Sequence, residues 1–195
     1  LYPRLGEALA LFKNQIRCLD TNGKLLLEKA DEIIGNLDTI TVSIIEGDEP
    51  LESAFQLANL MYFSGYKDNK PPLLIGRILG QVDTKPYEGL VDRIVKRQLH
   101  HPMGSFQYQH EPVIPEIGIC QDFLHHLAIK RDGSVSHCVR FDPLRKGVLG
   151  NLNESTLDDI WNGELRKSYL QYHLTGQRKK VPLCETCAYW GYPSA

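Results

Sequence analysis

Residues 120–138 read CQDFLHHLAIKRDGSVSHC and place a cysteine at each end of a short segment that has strong hairpin character. Within it, Asp132 and Gly133 separate two β-prone runs, and an Asp-Gly pair in that position favours a tight turn between antiparallel strands. Cys120 precedes the first predicted strand and Cys138 ends the second. The segment therefore predicts a β-hairpin flanked by two thiols.

A second pair of cysteines follows in residues 182–190, which read PLCETCAYW. A Cys-x-x-Cys turn such as Cys184 to Cys187 holds two thiolates close enough to share one metal ion or one cluster. Between the two pairs, residues 147–162 read GVLGNLNESTLDDIWN and predict a glycine-rich turn followed by a helix. Ser155 is the predicted N-cap of this helix, with Asp158 completing a capping box. The helix is expected to continue towards residues 165–173.

The first half of the chain has a different pattern, in which strands and helices alternate. Helices are predicted at 3–12, 24–34, 51–65 and 87–99, and strands at 15–20, 38–47, 73–80 and 104–109. Repeated alternation of this kind predicts an α/β fold with a parallel sheet, either open or curved towards a barrel. The alternation ends near residue 111, where a proline-broken linker begins. We therefore predict two domains, at 1–112 and 113–195.

The strand at 38–47 indicates which edge of the sheet binds a ligand. Its apolar residues Ile40, Val42 and Ile44 share one face, because side chains alternate along a strand. The other face is small and polar, and ligands of such folds bind outside the carboxyl ends of the strands. Thr21, Asn22, Ser43 and Glu46 are predicted to lie near that edge.

Two further side chains in this half carry specific expectations. Arg77 shares a strand face with Leu73, Ile75 and Leu79, an awkward place for a permanent charge. It should therefore meet either a bound anion or a nearby acidic side chain. Cys18 falls in a predicted buried strand and is expected to be a small core residue.

The composition narrows the classes of function. The chain has 195 residues, 42% of them hydrophobic, 24% charged, and a net charge of -2 at pH 7. No basic patch favours nucleic acid, and no apolar run reaches the roughly 20 residues of a bilayer span. Five cysteines are too few for a secreted disulfide scaffold and favour a reducing cytoplasm. No glycine-rich phosphate loop is present, which disfavours a phosphate-binding α/β enzyme.

The spacing of Cys120, Gly133 and Cys138, the segment at 147–162, and the Cys184-x-x-Cys187 turn together resemble the C-terminal SPASM or twitch domain of radical S-adenosylmethionine enzymes. The stretches DTNGKLL and LDTITVSI resemble two consecutive strands in the later half of the partial (β/α)6 TIM-like barrel of this family. The resemblance implies a C-terminal barrel half followed by a small α+β iron-sulfur module. It further implies that a 5'-deoxyadenosyl radical modifies the substrate, a small molecule or a peptide.

The resemblance also implies cofactors and partners. One auxiliary [4Fe-4S] cluster would be held by Cys120, Cys138, Cys184 and Cys187. Asn22 and Ser43 match positions where the family contacts S-adenosylmethionine, and Arg77 is a candidate for its carboxylate. A flavodoxin or ferredoxin would be the electron donor.

Two departures from the family pattern limit these expectations. The Cys-x-x-x-Cys-x-x-Cys motif of the catalytic cluster is absent, and so are the first barrel strands. We therefore expect an N-terminal half, with a second [4Fe-4S] cluster and S-adenosylmethionine, in a longer parent protein. No cysteine follows Cys187, so one auxiliary cluster is the most that the sequence supports.

The spacing of the four cysteines leaves an alternative open. Tetrahedral zinc uses the same thiolate donors and often the same Cys-x-x-Cys turns. In that case the chain would be a non-enzymatic zinc-binding module that presents a surface to a partner protein.

Overall fold

A computed structural model describes residues 3–48, 50–65, 72–97, 119–140 and 142–187. These residues fall into two compact units. The sheet unit comprises the described residues between 3 and 97, and the cysteine unit comprises those between 119 and 187. The predicted domain boundary at 112/113 lies outside the described residues and stays a prediction.

The sheet unit alternates helices and strands. In chain order it contains α1 (Leu5–Ala10), β1 (Cys18–Thr21), a 3-10 turn (Leu27–Lys29), α2 (Ala30–Ile33), β2 (Thr39–Ile45), α3 (Pro50–Gly65), β3 (Leu73–Leu79), a second 3-10 turn (Lys85–Tyr87) and β4 (Arg93–Lys96). The four strands are all parallel and lie in the order β1-β2-β3-β4. The predicted α/β class with a parallel sheet is therefore confirmed, while the closure of this sheet into part of a barrel stays a prediction.

The hydrophobic core of the sheet unit forms on the predicted face of β2. Ile40 and Val42 are fully buried and Ile44 is 2% exposed. They pack with apolar side chains of α2, α3 and β3, such as Ile33, Leu60 and Ile78. Because the strands are parallel, their carboxyl ends meet at one edge of the sheet, where Thr21, Asn22, Ser43 and Glu46 lie as predicted.

Two predictions for this unit are wrong. Residues 93–96 form strand β4 and not a helix, because Gly89 adopts a φ of 80° that breaks helical geometry and the β-branched Ile94 and Val95 pair beside β3. Cys18 is exposed, since β1 has only one neighbouring strand among the described residues.

The helix predicted at 24–34 forms as a 3-10 turn and the short α2. The strand predicted at 104–109 lies outside the described residues.

The cysteine unit contains a small antiparallel sheet and short helices. In chain order it has α4 (Gln121–His125), β5 (Ala128–Ile129), β6 (Ser134–Ser136), β7 (Val148–Asn151), α5 (Leu157–Trp161), α6 (Glu164–Leu174) and a 3-10 turn (Arg178–Lys180). Strands β5 and β6 form the predicted hairpin. Its turn needs glycine, because Gly133 has a φ of 81°, and the Asp132 carboxylate accepts a hydrogen bond from Ser134 N at 3.1 Å.

The segment after the hairpin differs from its prediction in two respects. Residues 148–151 form a third strand, β7, which pairs with β6, and not a simple turn. The N-cap of α5 is Thr156 and not Ser155, and Asp159 completes the capping box. Thr156 Oγ1 accepts a hydrogen bond from Asp159 N at 3.1 Å, and the Asp159 carboxylate accepts one from Thr156 N at 3.2 Å.

Among the described helices, none is long and apolar enough to cross a membrane.

Candidate metal centre

The two hairpin thiols are positioned by the ends of neighbouring elements. Cys120 is the residue before α4, is 8% exposed, and its carbonyl accepts a hydrogen bond from Leu124 N at 3.0 Å. Cys138 follows β6 and is half-buried. Its Sγ accepts a hydrogen bond from Arg140 N at 3.4 Å, and its own N–H donates to Ser136 Oγ at 3.4 Å. Both cysteines are thus fixed through their main chains.

The other two thiols lie on a tight turn near the end of the described chain. Cys184 N donates to Val181 O at 2.9 Å, and Cys187 N donates to Cys184 O at 3.2 Å. Cys184 is 8% exposed and Cys187 is half-buried. The turn therefore holds both sulfur-bearing residues in one compact loop, as the Cys-x-x-Cys spacing predicts.

Both pairs of thiols lie in the cysteine unit, and they influence one another electrostatically. All five cysteines of the chain are free thiols. Burial raises the pKa of the Cys138 thiol to about 12, with further contributions from Asp122, Cys120 and Cys187. Burial also raises the pKa of Cys184, to which Cys138, Cys120 and Cys187 add. Each of these two thiols thus interacts electrostatically with the other members of the predicted ligand set, whereas Cys18 lies in the sheet unit.

Two arginines contact the main chain around these cysteines. Arg178 Nη1 donates to the carbonyl oxygens of both Cys184 and Cys187 at 3.1 Å. Arg140 is 8% exposed, and its Nη1 donates to Leu183 O at 3.1 Å. Two guanidinium groups therefore donate hydrogen bonds to the main chain of the cysteine turn and of the residue before it.

This donor set fits a group bound by thiolates. Cysteine thiolates are the usual ligands of iron-sulfur clusters and of structural zinc, so the chemistry of the four sulfurs suits either group. In the residues that the structure describes, no group of three or more His, Cys, Asp or Glu side chains has the arrangement that holds a single metal ion. The role of Cys120, Cys138, Cys184 and Cys187 as ligands stays a prediction.

The predicted S-adenosylmethionine residues lie on three adjacent strands or their ends. Ser43 on β2 is paired in register with Arg77 on β3, and Asn22 directly follows β1. Arg77 Nη2 forms an ion pair with Asp20 Oδ2 at 3.1 Å, so of the two expected partners the structure provides the acidic one. Its contact with a bound carboxylate stays a prediction, as do the ligand contacts of Asn22 and Ser43.

A glutamine on α3 links two of these positions. Gln56 is 1% exposed, and its Nε2 donates to Asn22 O at 2.6 Å and to Ser43 O at 3.0 Å. Its Oε1 accepts from the Tyr87 hydroxyl at 3.3 Å. The side chain therefore fixes the main chain at the carboxyl ends of β1 and β2 relative to each other.

Sequence reasoning missed Gln56, Arg140 and Arg178. The signal for Gln56 is an amide inside the apolar pattern of 51–65, since a buried amide needs hydrogen-bond partners. The two arginines donate to main-chain carbonyls, and no residue pattern reveals such an acceptor before the fold is known.

Comparisons with known proteins agree with the cysteine arrangement. Residues 120–188 match the family model of SPASM, an iron-sulfur cluster-binding domain. Among proteins with curated functions, none matches the chain. A crystal structure of selenomethionine BtrN in an open conformation covers 90% of this chain and 94% of its own, at 16% identity and a TM-score of 0.36, a likeness too distant to decide the fold.

The family match includes all four cysteines of the centre and the hairpin between the first two. The predicted resemblance to a SPASM domain is thereby confirmed over residues 120–188. This segment is thus similar to an iron-sulfur cluster-binding domain, which is the function that its four cysteines are predicted to serve.

Proposed function

We propose that this chain is part of a radical S-adenosylmethionine enzyme, and that its SPASM domain holds one auxiliary [4Fe-4S] cluster through Cys120, Cys138, Cys184 and Cys187. The observation that carries the proposal is that the segment matching the SPASM model contains four free thiols, which influence one another electrostatically. When bound, such a cluster would supply a site that accepts or donates one electron.

The chain's own residues would hold this group in a defined way. Cys120 and Cys184 are largely buried, so water has limited access to their sulfurs. Arg140 N donates a hydrogen bond to the Cys138 sulfur, a contact that stabilises a thiolate. With four cysteine ligands, no iron is left open for direct substrate binding, and electron transfer or a structural role is favoured.

The sheet unit would contribute to the S-adenosylmethionine site in the same proposal. Parallel sheets bind ligands beyond the carboxyl ends of their strands, which is where Asn22 and Ser43 lie. Arg77 would meet the carboxylate of S-adenosylmethionine, with Asp20 as its partner in the absence of ligand. The sheet would then be the later part of a partial (β/α)6 barrel, and the catalytic cluster motif of that barrel would be supplied by other residues of the same enzyme.

The first experiment is an assay of iron, sulfide and zinc on protein purified without oxygen, together with a visible spectrum. We expect about four irons and four sulfides per chain, with broad absorbance near roughly 400 nm. Cys184→Ala should lose most of this iron and sulfide. The matched control is Cys18→Ala, because Cys18 is an exposed thiol in the sheet unit and should leave the iron content unchanged.

The outcomes separate the two candidate groups. One zinc per chain without sulfide would replace the cluster by a structural zinc site and favour a non-enzymatic interaction module. Full iron content in Cys184→Ala would remove that cysteine from the ligand set.

The enzymatic part of the proposal needs the full-length protein. With its catalytic cluster intact and a flavodoxin, ferredoxin or dithionite as electron donor, it should produce 5'-deoxyadenosine from S-adenosylmethionine. No 5'-deoxyadenosine under reducing conditions, with both clusters present, would contradict the enzyme assignment. The substrate, a small molecule or a peptide, would be sought only after that result.

A further inference from the structure

In the turn that carries Cys184 and Cys187, the carbonyl oxygens of both cysteines accept hydrogen bonds from a single arginine nitrogen. Arg178 Nη1 donates to both cysteine carbonyls at 3.1 Å, so one side chain fixes the backbone of two predicted ligands at once. Its positive charge also acts electrostatically on the Cys184 thiol. The same residue therefore contributes both geometry and charge to the ligand turn.

A second arginine connects the two halves of the ligand set. The backbone N–H of Arg140 donates to the Cys138 sulfur, and its guanidinium donates to the carbonyl of Leu183, directly before Cys184. Arg140 is 8% exposed, which places a permanent positive charge inside the cysteine unit. A buried charge is costly unless an opposite charge lies nearby, and hydrogen bonds to neutral carbonyls only partly offset that cost.

An anionic group bound by the four thiolates would supply the opposite charge. Each ligating thiolate adds a negative charge, and one-electron reduction of the bound group adds another. A nearby guanidinium therefore stabilises the reduced form more than the oxidised form. Net charge and hydrogen bonds around the sulfurs are among the factors that set the potential of iron-sulfur clusters.

We propose that Arg140 and Arg178 are positioning residues of the auxiliary cluster, which hold the Cys184–Cys187 turn in its ligating conformation and raise the reduction potential of the cluster. This inference rests on the proposed cluster at the four cysteines.

The test is a redox titration of the cluster in this chain, with dithionite as the one-electron reductant and the reduced cluster followed by electron paramagnetic resonance. Arg178→Gln removes the charge and keeps an amide donor, and Arg178→Lys keeps the charge and loses the planar fork. We expect Arg178→Gln to lower the reduced-to-oxidised ratio at fixed potential about tenfold, which is about 59 mV for one electron. Arg178→Lys should keep the native potential and lose iron faster to a chelator.

Arg166 offers a matched control within the same unit. It is 7% exposed, stacks on Trp161 at 3.5 Å, and donates to the carbonyls of Phe123 and Leu124, with no hydrogen bond to the Cys184–Cys187 turn in the described chain. Arg166→Gln should lower thermal stability and leave the potential of the cluster unchanged. Arg140→Gln should lower the potential in the same direction as Arg178→Gln.

The possible results distinguish this inference from the function on which it rests. If the unmodified chain binds no iron and sulfide, the proposed function fails before any variant is measured. If the cluster is present and Arg178→Gln and Arg178→Lys have the native potential, the arginines act on geometry alone and the proposed charge effect is wrong. An equal shift in Arg166→Gln would also contradict it, because any buried charge would then have the same effect.

Discussion

The sheet unit and the cysteine unit bury different kinds of side chain. The core of the sheet unit is formed by the apolar residues Leu26, Ala30, Ile33, Leu37, Ile40, Val42, Ile44, Leu60, Phe63, Leu74, Ile78 and Tyr87. In the cysteine unit the buried set includes the polar or charged residues Asp122, Ser134, Ser136, His137, Arg140, Asp142, Arg166 and His173. The first unit is organised around an apolar strand face, whereas the second buries many polar and charged side chains.

This difference has an energetic consequence. A large apolar side chain contributes about 1.5–3 kcal/mol when it is fully buried, whereas a typical internal hydrogen bond contributes only about 0.5–1.5 kcal/mol net. Small domains with little apolar core commonly depend on a metal. We therefore expect the sheet unit to be stable through its core and the cysteine unit to depend on its bound group.

Removal of the bound group should cause the largest difference in stability between the cysteine unit and the sheet unit. Binding of a structural metal can contribute about 10 kcal/mol or more, because the empty ligand set seldom keeps its folded form. After chelation of iron, the amides of β6 and β7 should exchange with deuterium much faster, while those of β2 and β3 should stay protected. Hydrogen exchange read by mass spectrometry measures both regions in one sample.

The Cys184→Ala variant should reproduce the exchange pattern of the chelated protein, and Cys18→Ala should reproduce that of the native protein. Equal loss of protection in β2 and β6 would show that the two units unfold together, and would contradict the proposed independence of the sheet core.

A fall in pH from 7 to 5 should act mainly on the cysteine unit, because the described part of the sheet unit contains no histidine and its carboxyl groups titrate at lower pH. Burial, followed by the charge of Arg178, lowers the pKa of His173 to about 4 from its usual 6.5. Burial and His173 lower the pKa of His137 to about 4 as well. Between these values the unfolded chain binds more protons than the folded one, so the free energy of unfolding falls as the pH decreases from about 6.5 to about 4.

The expected loss for His173 alone is up to about 3 kcal/mol. Urea unfolding at pH 7 and pH 5, followed by tryptophan fluorescence with iron content measured in parallel, tests it. His173→Gln should reduce the pH dependence, whereas His125→Gln, at an exposed position, should retain it. A pH dependence unchanged by His173→Gln would assign the effect to other groups.

Two glycines of the sheet unit allow the energetic cost of a packing clash to be measured apart from the cost of backbone strain. Gly23 and Gly35 both have a φ of 78°, so alanine is strained to a similar degree at either position. A Cβ at Gly23 would lie 2.8 Å from Val42 Cγ1, whereas one at Gly35 would meet no atom within 4 Å. We expect Gly23→Ala to lower the free energy of unfolding by about 1–3 kcal/mol more than Gly35→Ala.

Urea unfolding followed by far-ultraviolet circular dichroism measures this difference. The same cost for both alanine variants would indicate that the main chain at Gly23 shifts to relieve the contact with Val42.

Local patterns predicted the parts of the molecule in which neighbouring residues decide the structure. The alternation of Ile40, Val42 and Ile44 predicted the buried face of β2, and the Asp132-Gly133 pair predicted the hairpin. The Cys-x-x-Cys spacing predicted the tight turn that carries Cys184 and Cys187. In each case the signal lies within a few residues of the feature that it specifies.

Features that depend on distant contacts could not be predicted in the same way. Cys18 is exposed because β1 has one neighbouring strand in the described sheet, which its own residues do not reveal. Strand β4 has only four residues, too few for its alternation to outweigh the helical pattern around it. The contacts of Arg140 and Arg178 join a charged side chain to carbonyls of another segment, and a carbonyl is present at every position.

The smallest expected effect concerns the start of α5, where the sequence predicted Ser155 and the structure has Thr156 as the N-cap. Thr156→Ala removes the oxygen that accepts from Asp159 N at 3.1 Å and leaves that N–H without its partner in the capping box. Loss of such a cap costs about 1 kcal/mol, which thermal unfolding of the holoprotein can measure. The neighbouring Ser155→Ala is the matched control, and we expect it to change stability by only a few tenths of a kcal/mol because Ser155 lies outside the capping box. If Ser155→Ala is the more destabilising of the two, the helix begins one residue earlier in solution, and the capping box is the one that the sequence predicted.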